Sequence, residues 1–158
     1  MRMISGSSTV LRLFIRGISE FHMFVYGFTG GTLGGRLGLP TARFVLLITR
    51  GRKTGKERAV PLLSICDEGH LVIVASHGGL DQPPSWWVNL KANPDAHVRI
   101  GRKTIKVRAA EADNEQRNRL WPLFVKEYPG YEDYRKKTSR RISIIILHQV
   151  ENASRGSS

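Results

Sequence analysis

Three runs of β-branched and aliphatic residues, RFVLLITR (43–50), ERAVPLLSIC (57–66) and HLVIVASH (70–77), follow one another with only the turns GRKTGK and DEG between them. Strand-length apolar runs parted by short, glycine-bearing turns are the pattern of an antiparallel meander. Pro61, inside the second run, cannot donate to a ladder, which places that stretch at an edge or a bulge. AHVRIG (96–101) and KTIKVRAAE (103–111), joined around Gly101 and Arg102, predict two more strands, and RISIIILHQV (141–150) predicts the last. Between them PSWWVNLKANP predicts a short helix that Pro84 or Ser85 starts and Asn93-Pro94 stops. A helix from Asp113 to Glu127 opens on an Asp or Asn cap and carries Pro122 as a kink or break, and another short one covers Tyr131 to Ser139. Six strands with scattered short helices and no βαβ alternation predict a mainly β, α+β domain closed as a small antiparallel barrel.

The 158 residues, 41% hydrophobic and 8% aromatic, suffice for one full core and not for two. The core is expected over residues 29–150, followed by a polar tail, 151–158, too poor in apolar residues to fold. Segment 1–28 stands apart. Leu11, Phe14, Ile18, Phe21, Val25 and Phe28 share one helical stripe, with Arg12, Arg16 and Glu20 opposite, which makes an amphipathic helix and argues against a membrane span. The stripe either packs on the core or on a second subunit of a homodimer, or lies in an anionic membrane surface. Both readings stay open. The glycine-rich connection TGGTLGGRLGLP (29–40) follows no strand and opens no helix, so it is not a dinucleotide-binding loop. One cysteine, Cys66, excludes an intrachain disulfide framework and fits a reducing cytoplasm, with peripheral placement at the inner face of the cell membrane if the helix is an anchor.

A net charge of +12 and a sequence pI near 10.6 point to an anionic partner without choosing among nucleic acid, membrane and small molecule. His22, His70, His77, His97 and His148 are scattered over different elements, which argues against a metal site. No serine sits in a nucleophile elbow. What remains is binding chemistry, and three clusters suit it. Arg52, Lys53, Thr54, Lys56 and Arg58 surround glycines in a hairpin turn, where backbone N–H groups and cations together suit an anion, although a solvated basic turn reads the same way. ASHGG (75–79) ends a strand in small residues that let a flat ring approach the backbone, or simply makes a turn. Trp86, Trp87, Tyr128, Tyr131 and Tyr134 supply rings. At least one tryptophan is core, while Tyr131 and Tyr134 lie three apart on one helical face beside Tyr128, either around a pocket mouth or as a packing stripe.

Five stretches in this order, GFTGGTLGGRLG, LLITRGRKTGKERAVPLL, IVASHGG, PSWWVNLKANP and YPGYEDYRKKTSRRISIIIL, resemble the deazaflavin-dependent nitroreductase family. The resemblance covers residues 21 to 150. It implies a six-stranded split β-barrel related to the flavin-binding oxidoreductase barrels, binding coenzyme F-420, an 8-hydroxy-5-deazaflavin. By position, Arg52, Lys53, Thr54 and Arg58 match the turn that holds the coenzyme's phosphate and glutamate tail. Pro61 and Leu62 match positions beside the ring. Ser76, His77, Gly78 and Gly79 match the loop along the deazaflavin and its phosphate-bearing chain, and Trp86, Trp87 and Asn89 the helix closing that side. Tyr128, Tyr131 and Tyr134 match the tyrosines lining the acceptor pocket, with Tyr131 or Tyr134 as donor or proton relay. Two positions depart from the pattern. His77 stands where a lysine is common and Ser143 where proline is frequent.

The resemblance implies an oxidoreductase that transfers a hydride from the reduced coenzyme to a quinone, with nitroaromatic reduction as a side activity. Two other classes compete. One is an FMN-binding barrel, for which the cations of the turn are more than FMN needs; the other is a carrier that binds F-420 without turnover. A nucleic-acid module fits less well, because the aromatics cluster late while the basic turn lies early.

Overall fold

The structure, a computed structural model, describes residues 42–151. The expected N-terminal helix, the glycine-rich connection and all of the tail but Glu151 lie outside the described residues.

Six strands, β1 (Ala42–Arg50), β2 (Glu57–Asp67), β3 (His70–Val74), β4 (Asp95–Ile100), β5 (Lys103–Glu111) and β6 (Ile144–Gln149), form a closed barrel in the order β1-β2-β3-β6-β5-β4. Every pairing is antiparallel. Among the described residues three α-helices decorate it: α1 (Ser85–Ala92), α2 (Asn114–Glu127) and α3 (Gly130–Lys137). The barrel expected from the apolar runs is therefore present, and its interior is made by alternation. Val45 and Leu47 of β1, Leu71 and Ile73 of β3, Val98 of β4, Val107 of β5, and Ile145 and Leu147 of β6 form one core with Trp86, Trp87 and Leu90 of α1. Successive strand residues point to opposite faces, yet Ile144 through Leu147 are all buried. The outer face of β6 is covered by α2, whose Leu120 and Phe124 are fully buried. Burial on both faces is why SIIIL reads as a continuous apolar run.

Pro61 behaves as an edge residue. It pairs with Leu46 on β1, while pairing with β3 begins only at Ser64, so its missing N–H leaves no gap in a ladder on that side. Several bounds differ from expectation, among them those of α3, which covers Gly130–Lys137 where Tyr131 to Ser139 was expected. β3 stops at Val74 and β6 starts at Ile144, because Ala75 N–H donates to the Ser143 carbonyl as a single bond beyond the ladder. Helix α2 runs unbroken through Pro122 behind a capping box of Asp113 and Gln116. The carbonyl that Pro122 leaves without its helical donor belongs to Asn118; both residues are exposed, so water can serve it.

The tetrapeptide GRKT occurs twice, at 51–54 and 101–104, followed by GKERA and IKVRA. Both copies lie at hairpins, and they fold differently. In the first, Arg50 pairs with Glu57 across a six-residue loop whose Gly55 sits at φ 68°. In the second, Ile100 pairs with Lys103 across only Gly101 and Arg102, with Gly101 at φ 58°. Gly55 opens the first loop, whereas β-branched Ile105 at the matching position keeps the second copy in strand β5. Since β1 and β4 are antiparallel neighbours, the two turns stand at opposite ends of the barrel.

Candidate functional site

Helix α1 begins after Pro84, whose extended backbone sets the entry, and buries Trp86, Trp87 and Leu90 in the barrel. Among these apolar anchors stands Asn89, 4% exposed. A buried amide needs partners, and it finds them at the end of β1. Its Oδ1 accepts from the Arg52 backbone N–H at 3.2 Å and from Arg52 Nη1 at 3.1 Å, and its Nδ2 reaches the buried Thr49 hydroxyl at 3.4 Å. The turn is closed from within by Gly51 N–H donating to the Lys56 carbonyl at 2.7 Å and Gly55 N–H to the Gly51 carbonyl at 2.8 Å. Thr54 Oγ1 accepts from the Lys56 N–H at 3.3 Å. Space at Gly51 is tight, since a Cβ would come within 3.0 Å of Thr54 Oγ1 and 3.2 Å of the Lys56 carbonyl, and a larger residue would require the turn to give by a few tenths of an ångström. Arg52, Lys53, Lys56 and Arg58 are left exposed. Among the described residues, none of the four makes an ion pair.

The second cluster follows β3. Ser76 is right-handed (φ −74°, ψ −37°) and is succeeded by three left-handed residues, His77 at φ 46°, Gly78 at 61° and Gly79 at 79°. A right-to-left succession turns consecutive N–H groups toward one concavity, an anion-binding nest. Gly79 and Leu80 N–H donate back to the Ser76 and His77 carbonyls; those of Ser76, His77 and Gly78 have no acceptor among the described residues. The strained His77 is held by its own ring, whose Nδ1–H donates to the Gln82 carbonyl at 2.8 Å. Arg140, just ahead of β6, donates from Nε to the Leu80 carbonyl at 2.8 Å and from Nη2 to the carbonyls of Ala75 and Ser76 at 3.1 and 2.9 Å. Thr138 Oγ1 donates to Asp81 Oδ1 at 2.8 Å.

Helix α3 supplies the third cluster. Tyr131 is 4% exposed and meets Tyr128, Tyr134 and Phe124 edge-on, with centroids 5.4, 6.1 and 5.7 Å away. Burial pushes its phenol well above the ordinary tyrosine range, aided by the neighbouring Tyr134 and Tyr128. The Tyr128 and Tyr134 hydroxyls lie 3.3 Å apart. One side-chain tie crosses between the helices, Trp121 Nε1–H donating to Glu132 Oε2 at 3.1 Å, and within α3 Arg135 pairs with Glu132; together they hold the Glu132 carboxyl below its usual range, through Arg135 first and the indole second.

The structure thus joins Asn89 to the basic turn, and it joins the Ser76–Gly79 loop to the tyrosine helix, because Gly79 lies so close to Tyr134 that a Cβ would be 2.8 Å from its carbonyl oxygen. The three tyrosines form one cluster. Trp86 and Trp87 are core residues, the latter with Lys91 Nζ 5.3 Å over its ring. Leu62 packs against the same core, while Pro61 is exposed. A cleft of about 250 Å³ lined by Arg117, Trp121, Pro122 and Arg135 lies between α2 and α3 and contains none of the sequence-predicted site residues. Sequence reasoning missed Arg140 and Thr138. The stretch KTSRR holds both, but nothing in two adjacent arginines says which one turns to the loop.

A family model described as F420H(2)-dependent quinone reductase matches residues 19–149. A Mycobacterium tuberculosis protein provisionally named as such a reductase is 41% identical over 114 residues, 72% of this chain and 93% of its own. A solved structure of an F420-H2 dependent reductase superimposes with a TM-score of 0.61 at 39% identity, over 73% of this chain and 100% of its own. Another, described as a domain-swapped dimer, gives 0.61 at 36% identity over 85% of this chain and 97% of its own.

Proposed function

The chain belongs to the F420H(2)-dependent quinone reductase family, and from that premise we propose that it binds coenzyme F-420 along the basic turn and the Ser76–Gly79 loop and reduces a quinone held at the tyrosine cluster. The observation that carries the site is the turn itself: Arg52, Lys53, Lys56 and Arg58 stand exposed without an ion pair among the described residues, on a loop fixed by Asn89. Free cations on a rigid frame suit a polyanionic tail, because little ordering remains to be done on binding. The free N–H groups of Ser76, His77 and Gly78 suit a phosphate.

The reduced coenzyme, when bound, supplies a hydride. The chain's own part is to bind, orient and move a proton. A quinone that takes up a hydride and a proton becomes a quinol, and the Tyr128–Tyr134 hydroxyl pair is our source for the proton at the quinone oxygen. Tyr131, held neutral by burial, fixes the other two rings by edge-on contact. Positioning of this kind accounts for several kcal/mol of a barrier when reacting atoms are held near contact. His77 in place of lysine removes a fixed cation from the loop, and its Nδ1–H bond to Gln82 spends that ring on backbone.

The test is anoxic incubation of the protein with reduced F-420 and a menaquinone analogue, following the return of the oxidised deazaflavin absorbance. Turnover supports the reading; coenzyme binding without turnover across several quinones leaves a carrier, and no binding sinks the site. Nitroaromatic acceptors belong in the same assay as the side activity. Among the described residues no helix is long and apolar enough to cross a membrane. Association of residues 1–28 with an anionic surface is read by sedimentation with anionic vesicles before and after their deletion, and homodimerisation, suggested by the domain-swapped relative, by sedimentation velocity.

A further inference from the structure

Three carbonyls of one loop, those of Ala75, Ser76 and Leu80, converge on the single guanidinium of Arg140. A trans peptide carries its C=O and the following N–H on opposite sides. Drawing the Ala75 and Ser76 carbonyls to Arg140 therefore turns the N–H groups of Ser76 and His77 the other way, onto the face where Gly78 N–H is also free. We propose that Arg140 is a positioning residue for anion binding: without touching the ligand, it sorts the loop into a carbonyl face and an N–H face and keeps the donors aimed at the phosphate of the coenzyme. The identity of that anion rests on the proposed function above; the positioning does not.

Several observations bear on why this residue is arginine. The carbonyls of Leu80 on one side and of Ala75 and Ser76 on the other are reached from Nε and Nη2, two rigidly spaced donors of one plane, which a lysine ammonium cannot reproduce. Partial burial lowers the Arg140 pKa, with Asp81 opposing the shift, and the group stays charged at neutral pH. His77 at φ 46° is a left-handed non-glycine residue, a conformation that persists only where the surroundings over-determine it. Arg140, the His77–Gln82 bond, the Thr138–Asp81 bond and the Gly79–Tyr134 contact are those surroundings. Because the last of them lies on α3, the same clamp sets the loop against the tyrosines.

The experiment compares the full chain with Arg140→Lys. Backbone amide resonances of Ser76, His77 and Gly78 are followed while inorganic phosphate is added, and affinities are measured for F-420 and for the deazaflavin lacking the phosphate-bearing chain. We expect saturable shifts at the three amides in the native chain and at least about tenfold weaker phosphate binding in the variant. Affinity for F-420 should fall about tenfold, roughly 1.4 kcal/mol, while that for the phosphate-free deazaflavin changes less than about twofold. Native-like phosphate shifts in the variant, or equal loss for both deazaflavins, would overturn the proposal. Should the variant not fold, the native chain decides alone: Arg140 Nε–H must move less than the three amides on phosphate addition, and a larger shift there makes Arg140 a direct ligand. Phosphate binding at the amides without F-420 binding rejects the coenzyme reading only; F-420 binding that leaves the three amides unmoved rejects this one only.

Discussion

Asn89 accepts two hydrogen bonds from one residue, Arg52, through a single oxygen: 3.2 Å from its backbone N–H and 3.1 Å from its Nη1. A helix buried in the barrel thereby holds a surface turn by both its main chain and its side chain. Replacing Asn89 by Ala removes both bonds and the buried contact to Thr49, for an expected loss of about 1–2 kcal/mol, read as a drop of about 2–8 °C in Tm. Arg52→Ala keeps the backbone bond and should cost less than half of that. Equal losses in the two variants would mean that the main-chain bond does not hold the turn.

Gly79→Ala meets two penalties at once. The φ of 79° is unfavourable to an L side chain, and the new Cβ would lie 2.8 Å from the Tyr134 carbonyl oxygen and 2.9 Å from its Cα. We expect on the order of 3 kcal/mol of destabilisation from strain plus overlap, with a raised KM for the quinone as α3 shifts. Gly69→Ala, at φ 81° with open space around it, isolates the strain and should cost only about 1 kcal/mol. Matching denaturation midpoints for the two variants would show that the close approach to α3 carries no weight.

Tyr131 should resist ionisation. Its folded pKa is raised by burial, so the stabilisation from keeping the phenol neutral is complete below the unfolded value of about 10 and is lost as pH rises through the folded value. An alkaline spectrophotometric titration of the folded chain should leave at least one of its 4 tyrosines un-ionised until the protein unfolds, and Tyr131→Phe should remove that late component. Its survival in the variant would assign it to another ring.

The cations of the first turn act at short range on an exposed surface. Lys53→Ala and Arg58→Ala should each weaken F-420 binding several-fold at low ionic strength, and by less at high salt, where the Debye length falls to about 3 Å at 1 M. Affinity unchanged at low salt, measured by deazaflavin fluorescence, would remove the residue from the site.

What the sequence disclosed was mostly what is local. The strands followed from apolar runs whose period and length are properties of the chain alone, and the edge position of Pro61 followed from its missing donor. The tyrosine cluster followed from a spacing of three on one helix. Arg140 was not legible, because its partners are 60 to 65 positions away and exist as a set only once β3 and β6 are paired. Pro122 misled for a related reason: its cost depends on whether the freed carbonyl reaches water, which is a fact about the surface and not about the helix. Asn89 was expected from the family pattern on the side of the coenzyme; its bonds show a task in the fold, as the bracket of the turn.

The twin GRKT segments supply the molecule with a built-in control. Lys103 repeats the charge, the neighbours and the local composition of Lys53 at the far end of the barrel. Lys103→Ala therefore subtracts the same quantity from the protein's overall field while leaving the turn beside Asn89 intact. The difference in F-420 affinity between the two alanine variants measures location with charge held constant, a separation that salt titration of a protein at +12 cannot make alone.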